Sequence, residues 1–559
     1  MERLIRDIND GSRSAEITRT TDADGVLYFN AFDGEDYGLW KTDGTSFGTI
    51  QLSTFETRPV EDIGYVAVND LLFFPNFEDE TGTELWVSDG TEEGTEVVLD
   101  IFDEGSSSPQ QLTQVGNELY FVADSEGDGV NELWKTDGTE EGTESVLDSA
   151  VSNLTSVKGT AYFTQDEFPG TLWKLNNRTG EAEEILENTG SDTIASLTEV
   201  DGSLYFVRNE FELWRVEDNS SFPENVEEFE RPEDSEGIQD LIEVDDTLYF
   251  SFNDGEIGRE LYKSNGTANN TGLVLDVSPD MRDAGTTINL SSELAGFTDV
   301  EGTLYFVADS DDDDNREVWT SEGTEESTQL VREFERDIFQ PINVGGTAYF
   351  GVESGFNRYN VWRTDGTEEG TELATDITGR DYSRAEAANG DLYFPSDARF
   401  LNEVTGTELW TIDNTPDVSV LFNAQTFTHL YTTDETEISR LVEQPNYSGS
   451  VVAFNGADPL SGQPVYEFTN EDTGANLYTI DETEREEFAD LSGFEAEGTA
   501  FYAYESKVDG TMPIYRFQNI DTDGHFLTAS EEKRESLIEN ENFESNGVAF
   551  YAFPEIDLA

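Results

Sequence analysis

Short runs of alternating apolar and polar residues, separated by turns rich in Gly, Asp and Asn, fill the first three quarters of the chain. The most regular run is a Leu/Ala-Tyr/Phe-Phe segment, and a Glu-Leu-Trp-like run follows each copy after 9 to 17 residues. Because period-two alternation bounded by turn residues indicates strands, both runs are predicted to be β-strands. The first aromatic residue of the first run recurs at Tyr28, Phe73, Tyr120, Tyr162, Tyr205, Tyr249, Tyr305, Tyr349 and Tyr393.

After the Trp run, most copies continue with Asp-Gly-Thr-x-x-Gly-Thr, as in residues 89–95, 137–143 and 365–371. Asp-Gly is a tight-turn signal, because glycine adopts positive φ without a Cβ clash. A β-branched strand and a fourth strand such as 111–115 complete each copy. Four short strands in about 45 residues are typical of a β-propeller blade.

The two ends of the repeat region complement each other. Residues 4–8 match the last strand of a repeat, while the ninth copy ends near Asn414 without one. An open solenoid would instead need a polar cap at each end. The sequence therefore predicts a mainly β protein in which residues 1–416 form a nine-bladed β-propeller closed by the N-terminal strand.

The aromatic positions could form a catalytic or sugar-stacking array, but an aromatic residue at one fixed strand position in each copy is also what packing between blades requires. All eight Trp residues occupy this one repeat position. We therefore interpret them as core.

A second, threefold repeat fills residues 417–559. Its copies are anchored at 430–432, 477–479 and 526–528, and each anchor begins a Thr-x-x-Glu capping box that predicts a short helix. Each copy ends in an aromatic strand, explicit in 498–503 and 547–552. Three equal units predict a small pseudo-threefold α+β domain, trefoil-like in outline.

Both histidines of the protein, His429 and His525, occupy one position of this second repeat, and Asn476 takes it in the middle copy. Tyr431 and Tyr478 lie two residues further on. One interpretation places these five residues at the mouths of three sugar-binding pockets. The alternative, which we favour at this stage, is a hydrogen-bonded residue that fixes the loop before the anchor strand.

One acidic segment has the alternate spacing of a Ca²⁺-binding loop. Asp309, Asp311 and Asp313 are its candidate ligands, but the segment lacks the turn glycine of an EF-hand-like loop. A solvated acidic loop is the preferred interpretation. No motif selects a catalytic residue, so none is predicted.

Composition changes the picture of the protein's environment. The chain has 122 Asp and Glu against 30 Lys and Arg, a formal net charge of −92. Such a charge indicates a protein that works in multimolar salt, where self-repulsion is screened. It also excludes nucleic acid and anionic membrane surfaces as partners. The absence of Cys excludes disulfides and thiolate metal sites.

Two resemblances add expectations. Residues 132–143, Glu-Leu-Trp-Lys-Thr-Asp-Gly-Thr-Glu-Glu-Gly-Thr, resemble the repeat of hyalin-like bacterial and archaeal surface or secreted proteins. This resemblance covers about 400 residues and implies extracellular display. Residues 514–528 resemble a family of unknown function found as a tail on secreted hydrolases, which implies an accessory binding role.

The sequence thus predicts a non-enzymatic receptor-binding or adhesion protein outside a halophilic cell. No apolar run suits a transmembrane helix or a classical export signal, so a tail-fibre protein of a haloarchaeal virus is preferred to a secreted adhesin. The expected partners are a host surface glycan or glycoprotein and other virion tail proteins or surface-layer components; a homo-oligomer is compatible with this interpretation. The rival class is a polysaccharide-active enzyme with a carbohydrate-binding tail.

Overall fold

The computed structural model describes residues 2–9, 13–23, 25–44, 48–55, 57, 64–165, 170–176, 179–187, 192–217, 220, 222–231, 237–278, 292–310, 315–355, 358–397, 399–400, 403–404, 406–412, 417–425, 428–433, 435–442, 444, 447–456, 463–470, 473–489, 493–507, 511–520, 524–538 and 540–552. Most regular structure in these ranges is β-strand, and the protein is mainly β. Within the described part, no helix is long and apolar enough to cross a membrane.

The N-terminal strand β1 is Glu2–Leu4. After it, the described chain forms seven antiparallel sheets, each made of four consecutive strands. The first four sheets contain β2 (Thr18–Ala23), β3 (Val26–Phe32), β4 (Tyr37–Thr42) and β5 (Ile50–Phe55); β6 (Val66–Val68), β7 (Leu71–Glu78), β8 (Gly82–Ser88) and β9 (Thr95–Leu99); β10 (Gln110–Val115), β11 (Glu118–Ala123), β12 (Glu132–Thr136) and β13 (Glu144–Leu147); and β14 (Val151–Val157), β15 (Thr160–Gln165), β16 (Leu172–Leu175) and β17 (Ala182–Leu186).

The next three sheets follow the same order. They contain β18 (Ile194–Val200), β19 (Ser203–Arg208), β20 (Glu212–Val216) and β21 (Glu224–Glu228); β22 (Ile238–Val244), β23 (Thr247–Asn253), β24 (Arg259–Ser264) and β25 (Gly272–Leu275); and β26 (Ala295–Val300), β27 (Thr303–Ala308), β28 (Arg316–Ser321) and β29 (Gln329–Phe334).

An eight-stranded sheet completes this part of the chain. Its strands are β30 (Ile342–Val344), β31 (Thr347–Gly355), β32 (Arg358–Thr364), β33 (Glu372–Gly379), β34 (Glu386–Ala388), β35 (Asp391–Ser396), β38 (Glu408–Ile412) and β1; a separate ribbon joins β36 (Arg399–Phe400) to β37 (Glu403–Val404). Only one residue pair, Gly379 with Ser396, connects β33 to β35. The sheet therefore consists of two four-stranded groups whose strands pair at one position.

The first strands of these groups contact one another in chain order, from β2 through β6, β10, β14, β18, β22, β26, β30 and β34, and then back to β2. The two ends of this order are also hydrogen-bonded, because Thr20 Oγ1 donates to the carbonyl of Arg384 at 2.9 Å. At the other side of the last group, β1 pairs antiparallel with β38, with Glu2 opposite Ile412 and Leu4 opposite Trp410. The N-terminal strand therefore pairs with the last strand of the repeat region, but it comprises residues 2–4 rather than the predicted 4–8.

The aromatic repeat forms the core between neighbouring sheets, as predicted. The second aromatic residue of each Tyr/Phe-Phe pair is fully buried in every copy, and the Trp residues are buried or half-buried beside it. Aromatic side chains bury 150–250 Å² each, so nine such layers supply much of the apolar contact. The nine buried residues are Phe29, Phe74, Phe121, Phe163, Phe206, Phe250, Phe306, Phe350 and Phe394.

The Asp-Gly-Thr-x-x-Gly-Thr turn is a closed hydrogen-bond network that needs both of its glycines. Asp89 Oδ1 accepts from the backbone N–H of Thr91 at 2.9 Å, and Thr91 Oγ1 accepts from the N–H of Gly94 at 3.0 Å. Gly90 has φ of 81° and lies against the Tyr28 hydroxyl of the preceding sheet, where a Cβ would sit 2.8 Å from that oxygen. The turn therefore locks onto the neighbouring sheet.

Three glutamates of the Glu-Leu-Trp-like strands, Glu84, Glu260 and Glu408, have a role that the sequence analysis missed. The Glu84 carboxylate accepts from the backbone N–H groups of Ile101 and Ser107, at 3.1 and 2.8 Å. Glu260 accepts from the Val277 N–H at 2.7 Å, and Glu408 accepts from the Ile8 N–H at 3.0 Å. In each case the buried carboxyl group holds the segment that links the outermost strand to the next sheet.

Burial raises the pKa of both Glu260 and Glu408 to about 8. A carboxyl group whose pKa is higher in the folded state stabilises the fold fully below its unfolded pKa of about 4.5, and this contribution is lost as pH rises through 8. We expect each of the two groups to lower the free energy of unfolding in molar KCl by roughly 3 kcal/mol between pH 5.5 and pH 8.5. Thermal melts of Glu260→Gln should show a weaker pH dependence than the parent; an equal slope would contradict the assignment to Glu260.

Residues 417–552 form three three-stranded sheets, each with one helix. Their elements are β39 (Asp417–Asn423), β40 (Thr428–Thr432), α1 (Glu435–Val442) and β41 (Tyr447–Asn455); β42 (Gln463–Asn470), β43 (Asn476–Thr479), α2 (Glu482–Ala489) and β44 (Phe494–Ala503); and β45 (Met512–Asn519), β46 (His525–Thr528), α3 (Glu531–Ile538) and β47 (Phe543–Ala552). The first strand is central in every sheet. One shared apolar core joins the three units, and Tyr504 donates to the Gly345 carbonyl of the repeat region at 2.8 Å.

The predicted helices are confirmed, but in the second and third units the cap lies two residues later than predicted. Asp481 Oδ1 accepts from the N–H of Glu484, and Ser530 Oγ accepts from the N–H of Lys533, at 2.8 and 3.2 Å. The predicted cap Thr479 accepts instead from the Asp481 N–H. It therefore shapes the turn before the helix rather than capping it.

Candidate functional site

The repeat position of Tyr431, Tyr478 and Leu527 lies at the centre of the three C-terminal units. Two hydroxyls there accept hydrogen bonds from the backbone of a neighbouring unit. The Tyr431 N–H donates to the Tyr478 hydroxyl oxygen, and the Leu527 N–H donates to the Tyr431 hydroxyl oxygen, both at 2.9 Å. The second unit thus binds the first, and the first binds the third.

His525 closes this cycle. Leu527 has no hydroxyl, and the Tyr478 N–H donates to His525 Nδ1 at 2.9 Å instead. The third unit therefore binds the second through a histidine where the other two units use a tyrosine. Asn476 follows the same direction, because its Nδ2 donates to the His429 carbonyl at 3.3 Å.

The structure brings all five predicted ligand-binding residues together, but not at pocket mouths. Tyr431, Tyr478, Asn476 and His525 are each no more than 7% exposed, and His429 is half-buried against Phe422 and Phe526. Burial lowers the pKa of His429 to about 4 and that of His525 to about 3, so both are neutral at neutral pH. Four of these side chains hydrogen-bond to a neighbouring unit, a role that neither interpretation named, and ligand binding by the five residues stays a prediction.

A polar cleft of about 530 Å³ opens beside this centre, between the first and second units. Its floor is formed by Thr428, Thr432, Asn476 and Glu467, all buried. Its rim includes Arg440, Tyr447, Glu497 and Thr499. Its volume lies within the range of small-molecule sites, and its lining is mainly polar.

Two floor residues are held in place before any ligand arrives. Glu467 Oε1 accepts from the Tyr478 hydroxyl at 2.8 Å, and Asn476 Oδ1 accepts from Thr469 Oγ1 at 3.2 Å. Ordering polar side chains in advance removes part of the entropic cost of binding. Of the five predicted residues, only Asn476 lines this cleft. Glu467 was missed because nothing in its local sequence marks a carboxylate out in so acidic a chain.

The predicted calcium ligands lie partly outside the described residues. Asp311 and Asp313 fall in the segment 311–314, of which no structure is described. Asp309 is buried, and its carboxylate forms an ion pair with the Arg316 guanidinium at 2.7 Å. The negative charge of Asp309 is therefore already balanced by a side chain of the protein. Among the described residues, no group of three or more His, Cys, Asp or Glu could hold a metal ion.

A second cleft, of about 660 Å³, lies in the repeat region beside the short hairpin between β19 and β20. Its lining includes Phe211, Phe229 and Arg231, together with the carboxylates of Glu210 and Glu228. Arg231 donates to the carbonyl of Asn209 at 2.9 Å and stacks over the Phe211 ring. The acidic lining disfavours an anionic ligand there.

Comparisons with known proteins bear on both parts of the chain. Residues 417–553 match the family described as "Domain of unknown function (DUF5648)", in agreement with the resemblance of the tail to a family of unknown function. No match is found among curated proteins.

Solved structures similar to the chain include a β-propeller domain. The β-propeller domain of the Trilobed protease from Pyrococcus furiosus is 10% identical, with a TM-score of 0.31, covering 55% of this chain and 93% of that one. An oligogalacturonate lyase in complex with manganese is 11% identical, with a TM-score of 0.34, covering 61% and 96%. A structure from a study of two prolyl endopeptidases is 9% identical, with a TM-score of 0.38, covering 64% and 55%. The likeness concerns a propeller-like fold.

These comparisons correct the prediction that the protein is not an enzyme. Several similar structures are enzymes, among them the oligogalacturonate lyase, the prolyl endopeptidases and the tricorn protease. The exclusion of catalysis is therefore withdrawn. At these identities and TM-scores, no activity is transferred from them to this chain.

Proposed function

We propose that this protein recognises a surface glycan or glycoprotein of a halophilic cell, and that residues 417–559 carry the recognition site. The observation that carries this proposal is the cleft between the first and second C-terminal units, where hydrogen-bonding side chains are pre-positioned around a space of about 530 Å³. The neighbouring repeat region serves as a rigid scaffold that presents this site.

The charge supports the proposed environment. A net charge of −92 destabilises a compact chain at low ionic strength and is screened in molar salt. The hyalin-like repeat motif supports display outside the cell. Our preferred setting is the tail fibre of a haloarchaeal virus, because receptor-binding fibres join a repetitive β scaffold to a terminal recognition module; a cell-surface adhesin is the alternative setting.

We also infer how the sheets are arranged in each part of the chain. We take two features as support for nine propeller blades closed by β1: the cyclic order of first strands, and the single paired position between β33 and β35 that divides the eight-stranded sheet. The cycle of backbone hydrogen bonds among the three C-terminal units supports a pseudo-threefold, trefoil-like domain.

A pair of matched substitutions in the full chain tests the proposal. Thr499 on β44 and Val548 on β47 are equivalent, because Thr499 lies opposite Tyr466 and Val548 lies opposite Tyr515 in the same register. Thr499 lines the cleft and both residues are exposed. We expect Thr499→Trp to fill the cleft and weaken binding to haloarchaeal envelopes in molar KCl at least tenfold, with less than a twofold effect of Val548→Trp.

Co-sedimentation of labelled protein with isolated envelopes provides the measurement, and release of sugar from the same envelopes is assayed in parallel. If the parent chain does not sediment with envelopes from any haloarchaeal host, the proposed function is wrong. Equal losses in both variants would place the binding surface outside the cleft.

A further inference from the structure

The three C-terminal units differ in the chemistry of one equivalent position on their central strands. On the central strands, Val420 lies opposite Tyr431, Glu467 lies opposite Tyr478, and Arg516 lies opposite Leu527. The same place in each unit thus holds an apolar side chain, a carboxylate or a guanidinium. The units share a fold but not a surface chemistry.

In the third unit this position is committed to an internal ion pair. Arg516 donates to both oxygens of the Glu484 carboxylate at 2.7 Å and to the Tyr478 carbonyl at 3.0 Å. This pairing lowers the pKa of Glu484 against the opposing effect of burial, which keeps the pair charged. In the first unit Val420 has no polar group to offer. Only at Glu467 does the position bring a hydrogen-bond acceptor to the floor of the cleft of about 530 Å³.

We propose that this cleft binds one neutral sugar unit through adjacent hydroxyl groups, with the Glu467 carboxylate as the main acceptor and Asn476 beside it. This inference rests on the proposed function and names the chemical class that its site selects. A carboxylate has two oxygens with about four acceptor positions. Two neighbouring hydroxyl groups of a sugar can therefore each donate a hydrogen bond to the same carboxylate. The bond from Tyr478 fixes the orientation of the carboxylate.

The remaining lining restricts the choice of ligand further. Threonine hydroxyls at 428, 432 and 499 both donate and accept, as sugar hydroxyls do, and Tyr447 supplies an aromatic wall. A uronate or sulfated sugar would bring its negative charge to Glu467 and Glu497, and that repulsion is only partly offset by Arg440. Short-range repulsion inside a cleft persists in molar salt, because the Debye length limits only the longer-range field.

The inference also sets the number of sites. Three pockets of equal chemistry would bind three sugars for each chain. Because the equivalent residues in the first and third units are Val420 and Arg516, only the second unit has a hydrogen-bond acceptor, Glu467, at this position. We expect one neutral glycoside to bind for each full-length chain, so any gain in avidity comes from several copies of the protein rather than from one tail.

Isothermal titration of the full chain in molar KCl tests this directly, with methyl glycosides of neutral hexoses and methyl glucuronide as probes. We expect at least one neutral glycoside to bind with a stoichiometry near one, and the glucuronide to bind at least tenfold more weakly. Glu467→Gln keeps an acceptor for the Tyr478 hydroxyl but removes the charge, and should weaken binding at least fivefold. Thr499→Trp should abolish the heat of binding, and Val548→Trp should leave it unchanged.

Equal binding of the glucuronide, a stoichiometry near three, or undiminished binding by Thr499→Trp would overturn the inference. The envelope assay separates its failure from that of the proposed function. Envelope binding that is lost in Thr499→Trp, without binding of any neutral glycoside, rejects the sugar class alone. If the chain binds a neutral glycoside but does not bind envelopes, the proposed function alone is rejected.

Discussion

Replacing both Ile5 and Ile8 with alanine is expected to destabilise the repeat region by about 5 kcal/mol. The two side chains are 4% and 7% exposed and pack with Trp40 and Leu409 in a cluster that contains residues from both ends of the repeat region. The backbone of the same segment is held by Glu408, which accepts from the Ile8 N–H, and by the pairing of β1 with β38. Loss of these contacts opens the last sheet at its edge.

Tryptophan fluorescence during denaturation in molar KCl measures this effect selectively, because all eight Trp residues lie between residues 40 and 410. Ile50→Ala is the matched control, since Ile50 is 40% exposed on β5 and its truncation should cost less than about 1 kcal/mol. Hydrogen exchange should accelerate at the amides of β38 that face β1. A midpoint for Ile5→Ala/Ile8→Ala equal to that of the control would mean that closure by the N-terminal strand adds little to stability.

The sheets could be predicted because the signal that specifies them is local. Each Tyr/Phe-Phe run, Glu-Leu-Trp run and Asp-Gly turn occupies fewer than ten residues, and their recurrence multiplies a weak strand signal into a strong one. Even the partner of β1 could be predicted. The last copy of the repeat lacks its final strand, and the N-terminal segment has the sequence pattern of that strand. The loop-holding role of Glu84 and its equivalents could not be found, because it depends on contacts some 17 to 23 residues away.

The candidate site was harder to predict for the same reason. The coincidence of His429 and His525 at one repeat position was correctly noticed, but a repeated polar residue is equally suited to binding a ligand and to joining repeats. The distinction lies in which backbone amide each side chain meets across the interface between units, and spacing along the chain carries no information on that. Glu467 and Arg516 likewise occupy equivalent positions, but Glu467 lines the cleft and Arg516 forms an ion pair with Glu484.

The two histidines offer an internal comparison, because His525→Ala and His429→Ala make the same change at the same repeat position. In His525→Ala the buried Tyr478 N–H loses its Nδ1 acceptor, and a cavity replaces the ring. We expect a loss of about 4 kcal/mol, since a buried unsatisfied donor costs about 1–3 kcal/mol and the cavity adds to it. His429 contacts Phe422 and Phe526 through its ring, so its truncation should cost about 1–2 kcal/mol of packing.

A second substitution, Leu527→Tyr, tests whether His525 replaces a missing tyrosine hydroxyl as the acceptor for the Tyr478 N–H. Tyr431 and Tyr478 each accept an amide hydrogen bond from the adjoining unit, and Leu527 occupies the equivalent position without a hydroxyl. Leu527→Tyr would direct a hydroxyl from the third unit toward the Tyr478 N–H, so His525→Ala/Leu527→Tyr should recover at least half of the stability lost in His525→Ala. Hydrogen exchange at the Tyr478 amide should accelerate in His525→Ala, stay slow in His429→Ala and slow again in the double variant. If Leu527→Tyr gives no recovery while the Tyr478 amide stays protected in His525→Ala, that amide has another acceptor, and His525 does not replace the missing tyrosine.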